Sequence, residues 1–206
     1  HCTSSAASDV YKRQVYSNSV TYKNSFKNPN SWINSCEDLL DGIPIEIKGN
    51  LEKLAISGTS GTLTAFNLKG EPIGEAIPYY TACNENKFLI ESLTYEADHL
   101  QTPYSSLAKA LKLIDKYGIN ILLRHQSDWI TGWFLKDWTY GEEGNNLKLG
   151  WDLKKESWPK SYFNTSWQKC LPQIVKSGKI IGQVNFDLAE RFNLNKKLIL
   201  ISGTTD

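Results

Sequence analysis

The chain closes on an unbroken apolar run, Leu198-Ile199-Leu200-Ile201, followed at once by Ser202-Gly203-Thr204-Thr205-Asp206. Such a run reads as a strand buried on both faces, the mark of a parallel sheet covered by helices. In open α/β sheets, ligands collect just beyond the carboxyl ends of strands of this kind. Asp206, a carboxylate at that strand end, therefore stands where chemistry is expected.

The segments before it alternate between strand and helix patterns. Residues 15–22 permit a strand. Asn28-Pro29-Asn30-Ser31 supplies turn and N-cap chemistry for an amphipathic helix that carries Trp32, Ile33, Cys36, Leu39 and Leu40 and ends near Gly42. Leu54-Ala55-Ile56 is a short strand leading into Ser57-Gly58-Thr59-Ser60-Gly61. Residues 62–68 are rich in strand formers, and Lys69-Gly70 turns them back toward Glu71-Pro72-Ile73. Helices are expected over 87–93 and 104–116, the second with Leu107, Leu111 and Ile114 on one face and a stop at Gly118. A buried strand over 119–123 precedes a helix capped by Ser127-Asp128 and bearing Trp129, Ile130, Trp133 and Phe134. Beyond an irregular segment rich in Gly, Asn and Trp come a short helix over 161–168, a loop over 171–182 and a helix over 188–192. Strands alternating with helices imply an α/β layer fold with a partly parallel sheet.

Composition narrows the function. A chain of 206 residues can bury one sizeable core, and a net charge of +1 offers no basic stripe for a phosphate backbone, so nucleic acid is not an expected partner. No apolar stretch approaches the roughly 20 residues that span a bilayer, and no signal-peptide pattern is present, so a cytoplasmic protein without a membrane partner is expected. Cys2, Cys36, Cys83 and Cys170 form no C-x-x-C pair and read as reduced, partly buried thiols. The absence of methionine, even at position 1, makes a fragment of a longer reading frame the expectation. Residues 1–14 are small, polar and aperiodic, and read as a non-native tail derived from a sequencing adapter, leaving 15–206 as the domain proper.

Two segments follow apolar strands with the same chemistry, Gly58-Thr59-Ser60-Gly61-Thr62 and Gly203-Thr204-Thr205-Asp206. Glycine at a strand end lets backbone N–H groups approach a ligand closely, and Thr or Ser adds hydroxyl groups. Neither segment is a P-loop, since no Gly-Lys-Ser/Thr occurs, and G-x-G-x-x-G is absent, which disfavours a dinucleotide-binding dehydrogenase. His125, just after a strand, fits a catalytic base on pattern alone, but reads rather as a structural histidine tying a strand end to the next helix, and Glu142-Glu143 as solvated loop charge. Without a second histidine nearby or clustered carboxylates, metal ligation by side chains alone has little support.

Read together, several stretches resemble the FGGY family of carbohydrate kinases. They are Leu54-Ala55-Ile56-Ser57-Gly58-Thr59-Ser60-Gly61-Thr62-Leu63, Gly70-Glu71-Pro72 with Ala76-Ile77-Pro78-Tyr79, His125-Gln126-Ser127-Asp128-Trp129, Asn145-Asn146-Leu147-Lys148-Leu149-Gly150-Trp151-Asp152, Leu171-Pro172, Ile181-Gly182 and Gly203-Thr204-Thr205-Asp206. They run collinearly from about residue 15 to the end, and the Asn-Asn-Leu-Lys-Leu-Gly-Trp-Asp and Gly-Thr-Thr-Asp segments look most like the ribulokinase-like and xylulokinase-like branch.

The resemblance implies an actin-like ATPase fold built from two ribonuclease-H-like domains, of which this chain is the amino-terminal, sugar-binding one, incomplete at both ends. It implies a small-molecule sugar substrate, a ketopentose such as ribulose or xylulose, with ATP and Mg²⁺ held mostly by the absent second domain. It also implies that Asp206 is the base taking a proton from the sugar hydroxyl, that Thr59 and Ser60 contact sugar hydroxyls, and that Tyr79 forms an aromatic wall. A positioned carboxylate suits that proton transfer, while positioning and Mg²⁺ carry most of the barrier reduction. The sequence departs from the family in three places. Tyr80-Thr81-Ala82-Cys83 stands where many relatives carry an Asp and an Arg. Gly144 stands where some have an aromatic, and the opening strand with its Asp-x-Gly-Thr loop is missing. The isolated chain is accordingly expected to lack kinase activity. A non-catalytic sugar-binding or regulatory protein of the same fold is the alternative, with a filament-forming actin-like protein a more distant one.

Overall fold

In the computed structural model, which describes residues 2–94 and 97–204, strands β1 (Cys2–Ser8) and β2 (Gln14–Thr21) form an antiparallel hairpin. The aperiodic composition of residues 1–14 predicts no regular element there, and the structure differs. The Asp9 carboxylate accepts from Tyr11 N at 3.0 Å and Arg13 N at 2.9 Å, which folds the turn. The ladder to β2 needs only backbone groups, so small Ser and Ala residues suffice for pairing.

Helix α1 (Pro29–Gly42) begins as expected: the Asn28 side chain accepts from Asn30 N, proline occupies the first turn, and Trp32, Leu39 and Leu40 are buried. A short helix α2 (Ile45–Lys48) leads into β3 (Lys53–Ala55). Strand β4 (Leu63–Phe66) folds back through isolated pairings of Phe66 with Pro72 and Leu63 with Ile77, the expected hairpin. Helix α3 (Lys87–Leu93) has the expected bounds. Helix α4 (Ser106–Tyr117) is capped by Ser105, which accepts from Ala108 N, and stops at Gly118, where φ of 74° suits glycine.

Strand β5 (Leu122–His125) pairs antiparallel with β4 and starts three residues later than the apolar run predicts. Helix α5 (Gln126–Leu135) starts immediately after it, with His125 at the cap position, so Ser127 and Asp128 sit inside the first turn rather than capping it. Then come β6 (Tyr140–Glu142), α6 (Glu143–Asn146) and, in place of the helix expected over 161–168, two 3-10 turns, Lys160–Asn164 and Gln168–Cys170. Thr165, extended at φ −97° and ψ 143°, interrupts the helix between them. The expected loop over 171–182 contains β7 (Gln173–Val175), parallel to β6, and β8 (Ile180–Gln183), antiparallel to β9 (Ile199–Ile201). Helix α7 (Phe186–Phe192) separates β8 from β9.

The strands β4 and β5 divide two cores. Leu63, Ala65 and Leu123 point into one with Leu107, Leu111, Leu149 and Tyr162, whereas Phe66 and Leu122 point into the other with Trp32, Trp129, Phe134 and Leu200. The period-2 alternation of a strand thus covers both faces of one sheet. Phe66 and Trp129 stack at 4.9 Å, and Trp32 meets Trp129 edge-on at 5.8 Å. Large side chains buried in this way contribute about 1.5–3 kcal/mol each. This is the layered, partly parallel α/β architecture expected from the element order, and among the described residues no helix is long and apolar enough to cross a membrane.

Candidate functional site

Strands β3 and β9 run side by side in parallel, with Ala55 opposite Ile201. The two Gly/Thr segments therefore leave the same end of the same sheet. Their stems touch: a Cβ added to Gly203 would lie 1.9 Å from the Ile56 carbonyl oxygen. The β9 stem is also tied to the turn before β8, because Ser202 N donates to Lys179 O at 2.7 Å and Gly178 N to Ser202 O at 2.8 Å. Thr204 is exposed, and Asp206, the expected proton acceptor, lies outside the described residues.

The remaining predicted residues converge. Tyr79 N donates to Thr62 Oγ1 at 3.2 Å, Thr62 Oγ1 lies 2.9 Å from Thr59 Oγ1, and Thr59 Oγ1 donates to Gln126 Oε1 at 3.2 Å. Because Thr59 Oγ1 spends its one proton on the Gln126 side-chain oxygen, Thr62 is the donor between the two hydroxyls, and the three bonds form one relay. The relay uses Thr59's only proton and leaves its oxygen with acceptor capacity, ready for a ligand hydroxyl. Thr59 and Ser60 are half-buried. Tyr79 is 43% exposed and edge-on to Tyr80, an available aromatic face. Sequence reasoning missed Thr62 and Gln126, which link Thr59 to Tyr79 and to α5; the Gln126 side of the link continues to Tyr22 OH at 3.4 Å.

Beneath this shelf lies a buried polar network. Asp128 Oδ1 accepts from Glu142 N at 2.9 Å and Oδ2 from Asn146 Nδ2 at 3.1 Å. Glu142 accepts from Gly144 N at 2.7 Å, Asn145 N at 2.8 Å and Ser177 Oγ at 2.6 Å. Asn145 Nδ2 donates to Ser127 Oγ at 2.8 Å, and Ser127 in turn packs against Gly58. Glu142 is 4% exposed, which corrects its reading as solvated loop charge: its carboxylate caps α6, where backbone N–H groups need an acceptor. Glu143 keeps a half-buried position and accepts from Ser177 N. His125 is structural, as expected, being fully buried with Nε2 2.9 Å from Ser106 Oγ and Nδ1 3.6 Å from Asp128 Oδ2.

Two lysines that the motifs did not single out for the site flank Tyr79. Lys109 is wholly buried, and its ammonium donates to Tyr104 O at 2.5 Å and lies 3.5 Å from Tyr79 O. Burial pushes its pKa down to about 8, and Lys148 adds repulsion in the same direction. Lys148 lies over Gly61, whose φ is 89°: a Cβ there would sit 3.5 Å from Lys148 Cδ, 3.6 Å from Tyr79 Cβ and 3.8 Å from Lys148 Nζ. Cys36, Cys83 and Cys170 are free, and burial raises the Cys36 thiol to about 12.

The shelf is open. Two cavities of about 560 and 530 Å³ lie away from it, one behind Ile77-Pro78 against α4 and the other around Arg124 and Trp138. Among the described residues no three His, Cys, Asp or Glu side chains gather around one point. No ATP or Mg²⁺ contact is assigned to the described residues.

No family model matches the sequence. Among solved structures, the chain is similar to a xylulose kinase from Lactobacillus acidophilus, with a TM-score of 0.80 and 14% identity over 100% of this chain and 46% of that one. It is similar to the Plasmodium falciparum glycerol kinase with ADP at a TM-score of 0.79 and 18% identity, again over 100% of this chain and 46% of that one. A gluconate kinase from Lactobacillus acidophilus follows at 0.75 and 14%, with the same coverage. The chain spans about half the length of the structures it matches. These likenesses establish that it adopts the actin-like, ribonuclease-H-like α/β fold of a carbohydrate-kinase domain.

Proposed function

We propose that this chain is the sugar-binding domain of a cytoplasmic, ATP-dependent carbohydrate kinase that phosphorylates a hydroxyl of a ketopentose such as ribulose or xylulose. The observation that carries this reading is the convergence of two Gly/Thr loops at one end of the parallel β3/β9 pair, with Thr59 and Tyr79 tied together through Thr62. In this reading residues 15–206 form the domain and residues 1–14 are an added tail. Thr59 and Ser60 contact sugar hydroxyls, Tyr79 covers an apolar face of the sugar, and Asp206, two residues beyond Thr204, accepts the proton of the attacking hydroxyl. ATP supplies the phosphoryl group and Mg²⁺ its charge neutralisation, both held mainly by a second domain of the full-length protein.

Two measurements test the reading. Titration of the 206-residue chain with ribulose and xylulose is expected to give saturable binding, without phosphorylation when ATP and Mg²⁺ are added. The complete reading frame is expected to phosphorylate one of these sugars and to lose turnover in Asp206→Asn while still binding it. Binding without turnover in the complete protein selects the non-catalytic sugar-binding alternative, and the absence of any sugar binding removes both.

A further inference from the structure

We propose that the cavity of about 530 Å³ around Arg124 is a second ligand site, taking a small phosphate monoester whose phosphoryl group is held by Arg124, Lys69 and Lys169. The inference is independent of the sugar-site reading, because the cavity lies at the other end of the sheet. In the β4/β5 ladder Leu63 pairs with His125 and Phe66 with Leu122. Thr62 and Gln126 carry the shelf beyond the first pair, whereas Leu68 and Leu122 line the cavity at the second.

Three observations carry it. The first is a buried cation with unused donors. Arg124 is 2% exposed, and its Nε donates to Trp138 O at 2.6 Å, while Nη1 donates to Leu123 O at 2.7 Å and Cys170 O at 2.9 Å. These bonds fix the guanidinium between the segments that carry Trp138 and Leu171, two walls of the cavity. A guanidinium has five N–H donors, and both of those on Nη2 are left without an acceptor among the described residues. Burial lowers the Arg124 pKa only to about 10, with Asp128 and Asp137 opposing the fall, so the group is a cation at neutral pH.

The second is the charge of the rim. Lys69, in the turn after β4, and Lys169, in the 3-10 turn Gln168–Cys170, both line the cavity, and no ion pair among the described residues engages either. Lys169 Nζ donates to a neutral partner, Asn120 Oδ1, at 3.1 Å. Lys136 also contributes to the lining, but its ammonium lies over the Trp133 ring, 5.4 Å from the centroid. The opposing charge is the Asp137 carboxylate, whose Oδ1 accepts from Thr139 N at 2.9 Å. Cations outnumber the carboxylate, so an entering dianion is attracted, and the three terminal oxygens of a phosphate ester can accept from the guanidinium and both ammonium groups at once.

The third is size. Sites for small organic ligands occupy about 300–1,000 Å³, and this cavity falls in that range, whereas a bare phosphate ion leaves most of it unfilled. Trp138 and Leu171 offer apolar surface, and Thr139 and Gln173 offer polar groups, to the body that carries the phosphate. A short, hydroxylated phosphate ester matches that mixture.

The test uses the 206-residue chain with ribose 5-phosphate, inorganic phosphate and ribose as probes. Calorimetric titration is expected to show the ester binding at least tenfold more tightly than ribose and at least threefold more tightly than inorganic phosphate. Combining Lys69→Ala with Lys169→Ala is expected to weaken the ester at least fivefold with an unchanged melting temperature, since both side chains are exposed. Excess ribulose is expected to leave ester binding unchanged. Equal binding of the ester and inorganic phosphate reduces the cavity to a site for an adventitious ion only and overturns the proposal. Ester binding that survives the double substitution, or that ribulose displaces, belongs elsewhere on the chain and overturns it as well, as does a failure of the ester to bind. Ribulose binding to the wild-type chain is a separate measurement, so failure here and failure of the sugar-site reading are distinguishable.

Discussion

Polar residues leave the sheet ends in two places, and they meet different fates. At the ends of β5 and β6, Ser127, Asp128, Glu142, Asn145 and Asn146 turn inward, are almost wholly buried and bind one another. At the ends of β3 and β9, Thr59, Ser60 and Gly203 stay half-buried and Thr204 is exposed, with their stems locked. Similar residue types thus close on one another in the interior in one place and stay nearer the surface in the other. Burial decides which, because a buried polar group must find a protein partner whereas an exposed one can exchange water for a ligand.

The largest expected effect probes the locked stem. Gly203→Ala drives a Cβ into the Ile56 carbonyl, and backbone cannot yield as a flexible side chain can, so a loss of about 3 kcal/mol or more is expected in urea unfolding. A loss below about 1 kcal/mol means that the two loops do not share a rigid origin. Next comes Asp128→Ala, which strands Glu142 N and Asn146 Nδ2 in the interior. About 2–3 kcal/mol is expected from two unsatisfied buried donors, and a near-neutral result shows that the network does not carry stability.

Lys109 sharpens the contrast through pH. Its folded pKa of about 8 lies below the ordinary 10.5, so between those values the unfolded chain holds more protons and stability rises with pH. Below about pH 8 both states are charged and the full cost of burying the ammonium applies. Lys109→Met removes this rise. Thermal melts at pH 7.5 and 10 should show the wild-type stability gaining about 1 kcal/mol relative to the variant, after allowance for solvent screening. A pH-independent difference means that the ammonium is not desolvated. The smallest stability effect belongs to Thr59→Ala, expected to cost about 0.5–1 kcal/mol for the relay bonds while weakening sugar binding roughly tenfold. A stability loss as large as that of Asp128→Ala places Thr59 with the structural network instead.

The elements most legible in the sequence are those with local causes. Asn28-Pro29 and Ser105 announce α1 and α4 through capping chemistry, and Gly118 ends α4 because its positive φ excludes most other residues. The less legible elements depend on partners far along the chain. Strand β7 exists because it pairs with β6, and β1 because it pairs with β2, neither having a side-chain pattern that declares it. The site shows the same division. Thr59, Ser60 and Tyr79 follow from the family resemblance, but Thr62, Gln126, Lys109 and Lys148 enter through contacts across the fold. Glu142 was misread because adjacent acidic residues usually face water, and only the packing of α6 against α5 turns it inward.

The sequence by itself determined the alternation of strands and helices and the apolar closing strand with its Gly/Thr ending, since periodicity and capping act over a few residues. Only the tertiary structure decided that the endings of β3 and β9 lie side by side, that Glu142 is interior and that Lys148 reaches Gly61. Those facts depend on strand order and on which side chains the two cores exclude from water, and no stretch of a few residues encodes either.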